Sequence, residues 1–233
     1  MSPTIQSGRP GQSIGSGVVG AGTFQIQSGI ERNQIHNNTR SKSYILNNVF
    51  RLGISESFEV SSLLNYRSDQ FDNSQMDQDG LSAFHLGFRS QIIDNPKGVI
   101  PTLAIQTRFK LHATSNNYRE QNLAPIIIIA TTHSLDDSFS LTHNFGYSGS
   151  GNNTSPTYFW TSNLTYSINE KISTFFELYG NITNDIGKTY WDTGFDYLIS
   201  SDLKFDFSAG HAKNNSVEES FISLGLSWRA SIF

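Results

Sequence analysis

Histidine is the residue type in this sequence best suited to metal binding or acid–base catalysis. Six histidines occur, at positions 36, 85, 112, 133, 143 and 211, and none forms a His-x-His or His-Glu-x-x-His spacing. Zinc sites rely on such spacings or on cysteine, and the chain has no cysteine. We therefore predict no metal site, no cofactor and no catalytic residue, so that the protein is not an enzyme.

Two short stretches resemble reactive sites only in part. Asp77, Asp79 and Gly80 could begin a calcium loop, but the remaining ligand spacing and the closing Glu are missing. We interpret this stretch as a solvated acidic loop. His143 alternates with Leu141 and Phe145, and no hydrolase signature surrounds it. This pattern favours a histidine near the rim of an apolar surface.

The other residues with chemical potential are charged side chains at alternating positions in otherwise apolar segments. Twelve are candidates to line the interior of a barrel: Arg51, Glu59, Arg67, Arg89, Arg108, Lys110, Glu177, Asp192, Asp196, Lys204, Asp206 and Arg229. Apart from Lys204 and Arg229, the basic members fall in the first half of the chain, and the acidic members concentrate in the second. Facing one another, they would form either a polarised channel that orients dipolar solutes or an interior blocked by salt bridges.

The segments that carry these charges have the two-residue periodicity of β-strands. Near the end of the chain, Ile222, Leu224, Leu226 and Trp228 share one face, and Ser223, Gly225, Ser227 and Arg229 share the other. The same pattern predicts twelve strands, starting near Thr23, Ser43, Ser57, Leu81, Ile100, Pro125, Phe139, Thr157, Ile172, Thr189, Leu203 and Glu219. Aromatic residues cluster near the strand ends, Tyr190 and Trp191 among them, as interfacial girdles would require.

The predicted connections alternate between short turns and longer polar loops. Short turns include residues 54–58, 94–98, 134–139, 167–172 and 199–203, whereas the long loops cover residues 33–42, 68–80, 114–123, 148–156, 181–188 and 212–218. Outer-membrane barrels have an even strand number, short turns at one end, long loops at the other and strands of about ten residues. We therefore predict an all-β fold: a transmembrane, antiparallel, up-and-down barrel of about twelve strands.

A soluble barrel or sandwich is the alternative, with the apolar faces inward. Against it, strands of this predicted length exceed the usual five or six residues of soluble sheets. Mean hydropathy is only −0.34, which is expected where one strand face meets lipid and the other a polar lumen. The net charge of −4 and the lack of a basic cluster disfavour nucleic acid as a partner.

The first 22 residues differ from the rest of the chain. Residues 1–22 are rich in Gly and Ser and lack the charged and apolar regions of a signal peptide. We expect an irregular periplasmic tail or plug there, the barrel over residues 23–233, and a signal peptide that has been removed before this numbering begins. Arg9, the sole cation of the tail, could pair with lumen carboxylates.

Several phrases of the sequence resemble a known family. The runs Ile5-Gln-Ser-Gly-Arg-Pro-Gly-Gln12, Ala21-Gly-Thr-Phe-Gln-Ile-Gln-Ser-Gly-Ile-Glu31 and Phe50-Arg-Leu-Gly-Ile-Ser-Glu-Ser-Phe-Glu-Val60 resemble a bacterial outer-membrane transporter family. These are the β-barrels associated with the meta-pathway of phenol degradation. Gly8 stands where an acidic residue commonly precedes Arg-Pro in that family. The resemblance implies a barrel in the bacterial outer membrane that passes apolar or aromatic compounds.

Together these observations predict passive passage of a small solute, apolar or aromatic compounds included, across the outer membrane. The alternative is a non-conducting accessory subunit of a larger outer-membrane complex. Expected partners are outer-membrane lipid and lipopolysaccharide, other outer-membrane proteins and, during biogenesis, the barrel-assembly machinery. A C-terminal aromatic residue such as Phe233 resembles the signal that this machinery recognises.

Overall fold

The computed structural model describes residues 4–37, 39–72, 76–94, 100–152 and 154–232. Within these ranges the chain forms twelve strands and one turn of 3₁₀-helix (Asn116–Tyr118). The strands are β1 (Thr23–Asn37), β2 (Thr39–Ser55), β3 (Phe58–Phe71), β4 (Gln78–Ile93), β5 (Thr102–Lys110), β6 (Ala124–Ser134), β7 (Phe139–Ser148), β8 (Thr157–Ser167), β9 (Ile172–Thr183), β10 (Ile186–Ser200), β11 (Leu203–Asn214) and β12 (Val217–Ser231).

The strands form a closed barrel in sequence order. Each strand pairs antiparallel with its neighbours in the chain, and β1 closes the barrel against β12 from Thr23 opposite Ser231 to His36 opposite Glu218. Closure satisfies the backbone groups that an open sheet edge would leave unpaired. The predicted twelve-stranded, up-and-down, all-β barrel is confirmed.

Burial shows which strand face points outward. The largest fully buried side chains are polar or charged, led by Gln25, Gln106, Glu59 and Glu177. The exposed large side chains are instead aliphatic or aromatic, and in β12 the members Ile222, Leu224, Leu226 and Trp228 are all 44–49% exposed. This distribution is the reverse of that in a soluble protein, and it shows that the apolar strand faces point outward.

Three of the predicted long loops are wrong. The segments predicted as loops at residues 33–42, 181–188 and 212–218 consist mostly of strand. β1 and β2 pair as far as Asn37 opposite Thr39, and the β9–β10 and β11–β12 hairpins have turns of two residues. Asn184, Asp185 and Asn215 hold φ angles of 51–61° in two of these turns. Asn and Asp tolerate this left-handed conformation, so polar residues that suggested loops in fact belong to strands and hairpin turns.

Of the predicted long loops, those between β3 and β4, β5 and β6, and β7 and β8 remain, the second of them over residues 111–123. All three lie at the same end of the barrel, here called the loop end. The opposite end, which carries the other turns and the first and last described residues, Thr4 and Ile232, is called the turn end. Residues 95–98 of the predicted turn 94–98, and Phe233, lie outside the described residues. The part of the chain that the structure describes contains no helix long and apolar enough to cross a membrane.

Candidate functional site

Residues 4–22, here called the N-terminal segment, lie against the inner wall of the barrel. Five of the side chains in this segment are buried: Ile5, Ser13, Ser16, Val18 and Val19. The segment has no regular secondary structure and hydrogen-bonds to inward side chains of many strands. Because its own backbone groups lack helix or sheet partners, the polar wall satisfies them.

Glu177 of β9 holds the middle of the N-terminal segment. Its carboxylate accepts hydrogen bonds from the backbone N–H groups of Gln12 at 2.6 Å and Ser13 at 2.8 Å, and from the Ser13 hydroxyl. Next to it, the amide of Asn144 accepts from the N–H of Ile14 and donates to its carbonyl, at 2.8 and 2.9 Å. The bonds to the Glu177 carboxylate are charge-assisted, which is the stronger class of hydrogen bond.

Arg9 anchors the segment to the part of the wall formed by β11 and β12. Its guanidinium lies 3.1 Å from the fully buried Asp206 carboxylate and donates to the Ser223 hydroxyl at 2.8 Å. It rests on a bare patch made by Gly29 and Gly225, which face each other across β1 and β12. A Cβ atom at either glycine would lie 2.3–2.4 Å from an atom of the guanidinium, so a larger residue there would displace Arg9 from this position.

A basic cluster lines the wall formed by β2 to β5. Arg51 donates to both oxygens of Glu59 at 2.8 and 2.7 Å, and the Arg89 guanidinium lies 3.8 Å from the same carboxylate. Arg51 and Arg89 also donate to backbone carbonyls of the N-terminal segment, including that of Gly17. Arg108, on β5, adds a third guanidinium to this wall.

The other candidate residues form local pairs along the interior. Arg67 pairs with Asp69 at 2.7 Å, Lys110 with Glu120 at 3.3 Å, Lys204 with Asp196 at 3.6 Å and Arg229 with Asp202 at 2.8 Å. Asp192 is fully buried and lies directly opposite Glu177 across β9 and β10. All twelve candidates therefore lie on the inward face; their role in solute passage stays a prediction. The described pairs join neighbours within a wall, while arginines predominate on β2–β5 and carboxylates on β9–β10.

Cavities flank the N-terminal segment. The largest, about 800 Å³, opens at the turn end and is lined largely by hydroxyl and amide side chains such as Thr102, Thr142 and Asn163. Two smaller cavities of about 220 and 260 Å³ lie nearer the loop end and share Glu31 in their walls. The interior is thus polar space divided by the segment.

The sequence prediction missed an aromatic pair inside the barrel. Tyr179 and Tyr190 stack with ring centroids 5.0 Å apart and line the 260 Å³ cavity. The prediction that Tyr190 belongs to an outer aromatic girdle is therefore wrong. It shares the inward phase of Asp192, two residues away, and this alternation was the signal that could have placed it.

The connection over residues 111–123 folds onto the rim. Tyr118 donates a hydrogen bond to Asp69 at 3.0 Å, and burial together with that carboxylate raises the pKa of Tyr118 to about 12. Within the described ranges no group of three or more His, Asp or Glu side chains is placed to hold a metal ion.

A closed, even-numbered barrel with an apolar exterior and a polar, cavity-containing interior defines the outer-membrane channel class of β-barrel. The chain belongs to the family described as "Putative MetA-pathway of phenol degradation", whose model matches residues 7–230. The predicted family resemblance is confirmed. No curated protein matches the chain in sequence.

Solved structures share this fold at low sequence identity. The COG4313 outer membrane channel from Pseudomonas putida F1 has a TM-score of 0.75 and 11% identity, covering 95% of this chain and 99% of that one. The NanC porin has a TM-score of 0.56 and 10% identity, covering 86% and 98%. The deltaS2S3 mutant of the monoaromatic hydrocarbon channel TodX has a TM-score of 0.53 and 6% identity, covering 91% of each chain.

Proposed function

We propose that this barrel passes small solutes passively and that residues 1–22 act as a plug in its lumen. The observation that carries the proposal is the two-point anchoring of the N-terminal segment, by Arg9 on Asp206 and by Gln12 and Ser13 on Glu177. Each anchor is a set of non-covalent contacts, so the segment can leave without the barrel changing its pairing. Its departure would join the cavities at the two ends.

The twelve candidate residues would then line the path of the solute. We propose that aromatic compounds with a polar group are among the solutes. The family description names phenol degradation, and the inner wall offers both hydroxyl groups and the stacked rings of Tyr179 and Tyr190. Such a wall can hydrogen-bond a polar substituent while an aromatic ring packs against tyrosine.

The outward face suggests the surroundings of the barrel. We propose that outer-membrane lipid and lipopolysaccharide contact the apolar bands formed by residues such as Leu226, Phe176 and Phe145. The barrel-assembly machinery would fold and insert the chain, because strands are stable in lipid only when a closed barrel pairs all their backbone groups. Association with other outer-membrane proteins is the basis of the rival function, a non-conducting accessory subunit.

Planar-bilayer recording tests the channel and the plug together. The full chain should show brief, infrequent openings, whereas a variant that begins at Thr23 should conduct for sustained periods, because it lacks both anchors. Migration of both proteins as folded barrels in unheated gels is the control. If neither protein conducts and the full chain co-purifies with other outer-membrane proteins, the channel is contradicted and the accessory subunit is favoured. Equal conductance of both barrels would contradict the plug alone.

A further inference from the structure

The basic cluster on β2 to β5 carries more positive charge than its own carboxylate balances. Arg51, Arg89 and Arg108 surround Glu59, the acidic side chain within their reach. Both oxygens of Glu59 accept from Arg51, and one also accepts from the backbone N–H of Val19 at 2.9 Å. The carboxylate is therefore occupied by Arg51 and the N-terminal segment, which leaves little acceptor capacity for Arg108.

The side chain of Arg108 lies against β4. Its chain crosses Gly87 of β4, where a Cβ atom would lie 2.7 Å from the Arg108 Cγ atom. The buried Nε atom of Arg108 has no hydrogen-bond partner among the described residues. Burying a guanidinium with unsatisfied donors is unfavourable unless an anion binds there.

A cavity of about 220 Å³ lies in front of this cluster. Its lining includes Arg9, Arg51, Arg89 and Arg108, together with the aliphatic side chains of Val49, Leu63 and Ile14. The volume is below the range of about 300–1,000 Å³ typical of pockets for drug-sized ligands, so it suits a small molecule. Glu31 is the acidic residue in the described lining, and its charge favours a monoanion over a dianion.

We propose that this cavity is a binding site for small aromatic monocarboxylates, with the Arg108 guanidinium as the main carboxylate ligand. The planar fork of an arginine matches a carboxylate, while the aliphatic lining accommodates a ring. The site deepens the proposed channel function, on which it rests because the solute would reach it through the lumen. Aromatic carboxylates would then be a class of solute that binds beside the proposed plug during passage.

Equilibrium binding of benzoate to the full-length, detergent-folded barrel tests the site without requiring an open pore. Benzyl alcohol is the neutral comparison ligand. We expect saturable benzoate binding by the wild type and binding of benzyl alcohol at least about tenfold weaker, because the charge-assisted bonds are lost. Arg108→Gln should weaken benzoate binding by about tenfold or more, and Arg108→Lys, which keeps the charge but not the fork, by less.

Arg32→Gln is the matched control, since Arg32 is exposed and lies on the outward phase of β1; its benzoate affinity should stay within about twofold of the wild type's. The site is refuted if the wild type shows no saturable benzoate binding, binds benzyl alcohol equally well, or loses no more affinity on Arg108→Gln than on Arg32→Gln. The wild-type comparison of the two ligands decides the matter even if Arg108→Gln does not fold. Failure of the channel would appear separately, as a silent full chain and a silent truncated barrel in bilayer recordings.

Discussion

Replacing Gly225 with alanine should release the N-terminal segment from the barrel wall without altering that segment's sequence. The new methyl group would begin 2.3 Å from Arg9 Nε and 2.6 Å from the Asp206 Oδ1 atom, between the two charged groups. Both distances are far shorter than a van der Waals contact. The flexible arginine would have to move away, and its ion pair with Asp206 would be lost or lengthened.

The size of the effect follows from the burial of this pair. Asp206 is fully buried and the Arg9 side chain is 14% exposed. Removing one partner of a buried ion pair costs about 3–5 kcal/mol. Displacement is milder than removal because Arg9 keeps its charge nearby, so we expect about 2–3 kcal/mol. That loss falls on the plugged state alone and raises the ratio of open to closed time by about 30–150-fold.

Single-channel recording of Gly225→Ala measures this ratio directly. Gly187→Ala is the matched control, because the only atom near a Cβ there is a side-chain carbon of Ile182 at 3.9 Å. The double variant Arg9→Ala/Gly225→Ala isolates the cause: once Arg9 is absent, the alanine should add little further opening. Additive effects of the two substitutions, or an unchanged open time in Gly225→Ala, would refute the proposed seating of Arg9 on the glycine patch.

Two further predictions concern the outer surface and the loop end. Leu226→Arg should destabilise the barrel in lipid vesicles by about 2–4 kcal/mol because the side chain faces lipid, whereas Ile186→Arg, at the hairpin between β9 and β10, should cost less than about 1 kcal/mol. Denaturant unfolding in vesicles measures both, and equal costs would contradict the placement of Leu226 in the lipid-facing band. The phenol of Tyr118 should ionise near pH 12 rather than near 10, as measured by the tyrosinate absorbance of wild type minus Tyr118→Phe. Because the folded pKa is the raised one, this group's contribution to stability is complete below about pH 10 and is lost as the pH rises through 12. Asp69→Asn should move the titration back toward 10, and an unmoved midpoint would contradict the hydrogen bond to Asp69.

Strand positions were predictable because their signal is local. Alternation of apolar and polar residues marks each strand and its outward face, and observed starts fall within four residues of those predicted, as at Thr23, Phe139 and Leu203. The hairpin at Asn215 was mispredicted as a loop because polar residues beyond the bilayer carry no alternation between lipid and lumen. The pairing of Asn214 with Val217 shows that the strands continue to the turn, where Asn215 adopts a left-handed conformation.

The inward placement of the charged residues could be predicted from the same alternation, but the partner of each charged residue could not. Arg51 meets Glu59 because β2 and β3 pair in a particular register, and Asp206 meets Arg9, which is 197 residues away in the chain. Register and the path of an irregular segment depend on the whole barrel rather than on a local pattern. The sequence therefore predicted a polarised wall and a tail able to pair with it, but not the residues that join them.

Glycines on the inner wall connect these observations, because they mark where an arginine crosses the wall. Gly29 and Gly225 leave room for the guanidinium of Arg9, and Gly87 leaves room for the stem of Arg108. The two arginines differ in what they meet. Arg9 pairs with the carboxylate of Asp206, which holds the N-terminal segment, whereas the buried Nε of Arg108 has no partner among the described residues. A glycine beside an arginine thus lets Arg9 hold the N-terminal segment, and lets Arg108 lie on the wall with its charge not balanced by a carboxylate of its own. An anionic solute that binds Arg108 would lie in a cavity that Arg9 also lines, and would therefore compete with Asp206 for the Arg9 guanidinium and weaken the attachment of the proposed plug.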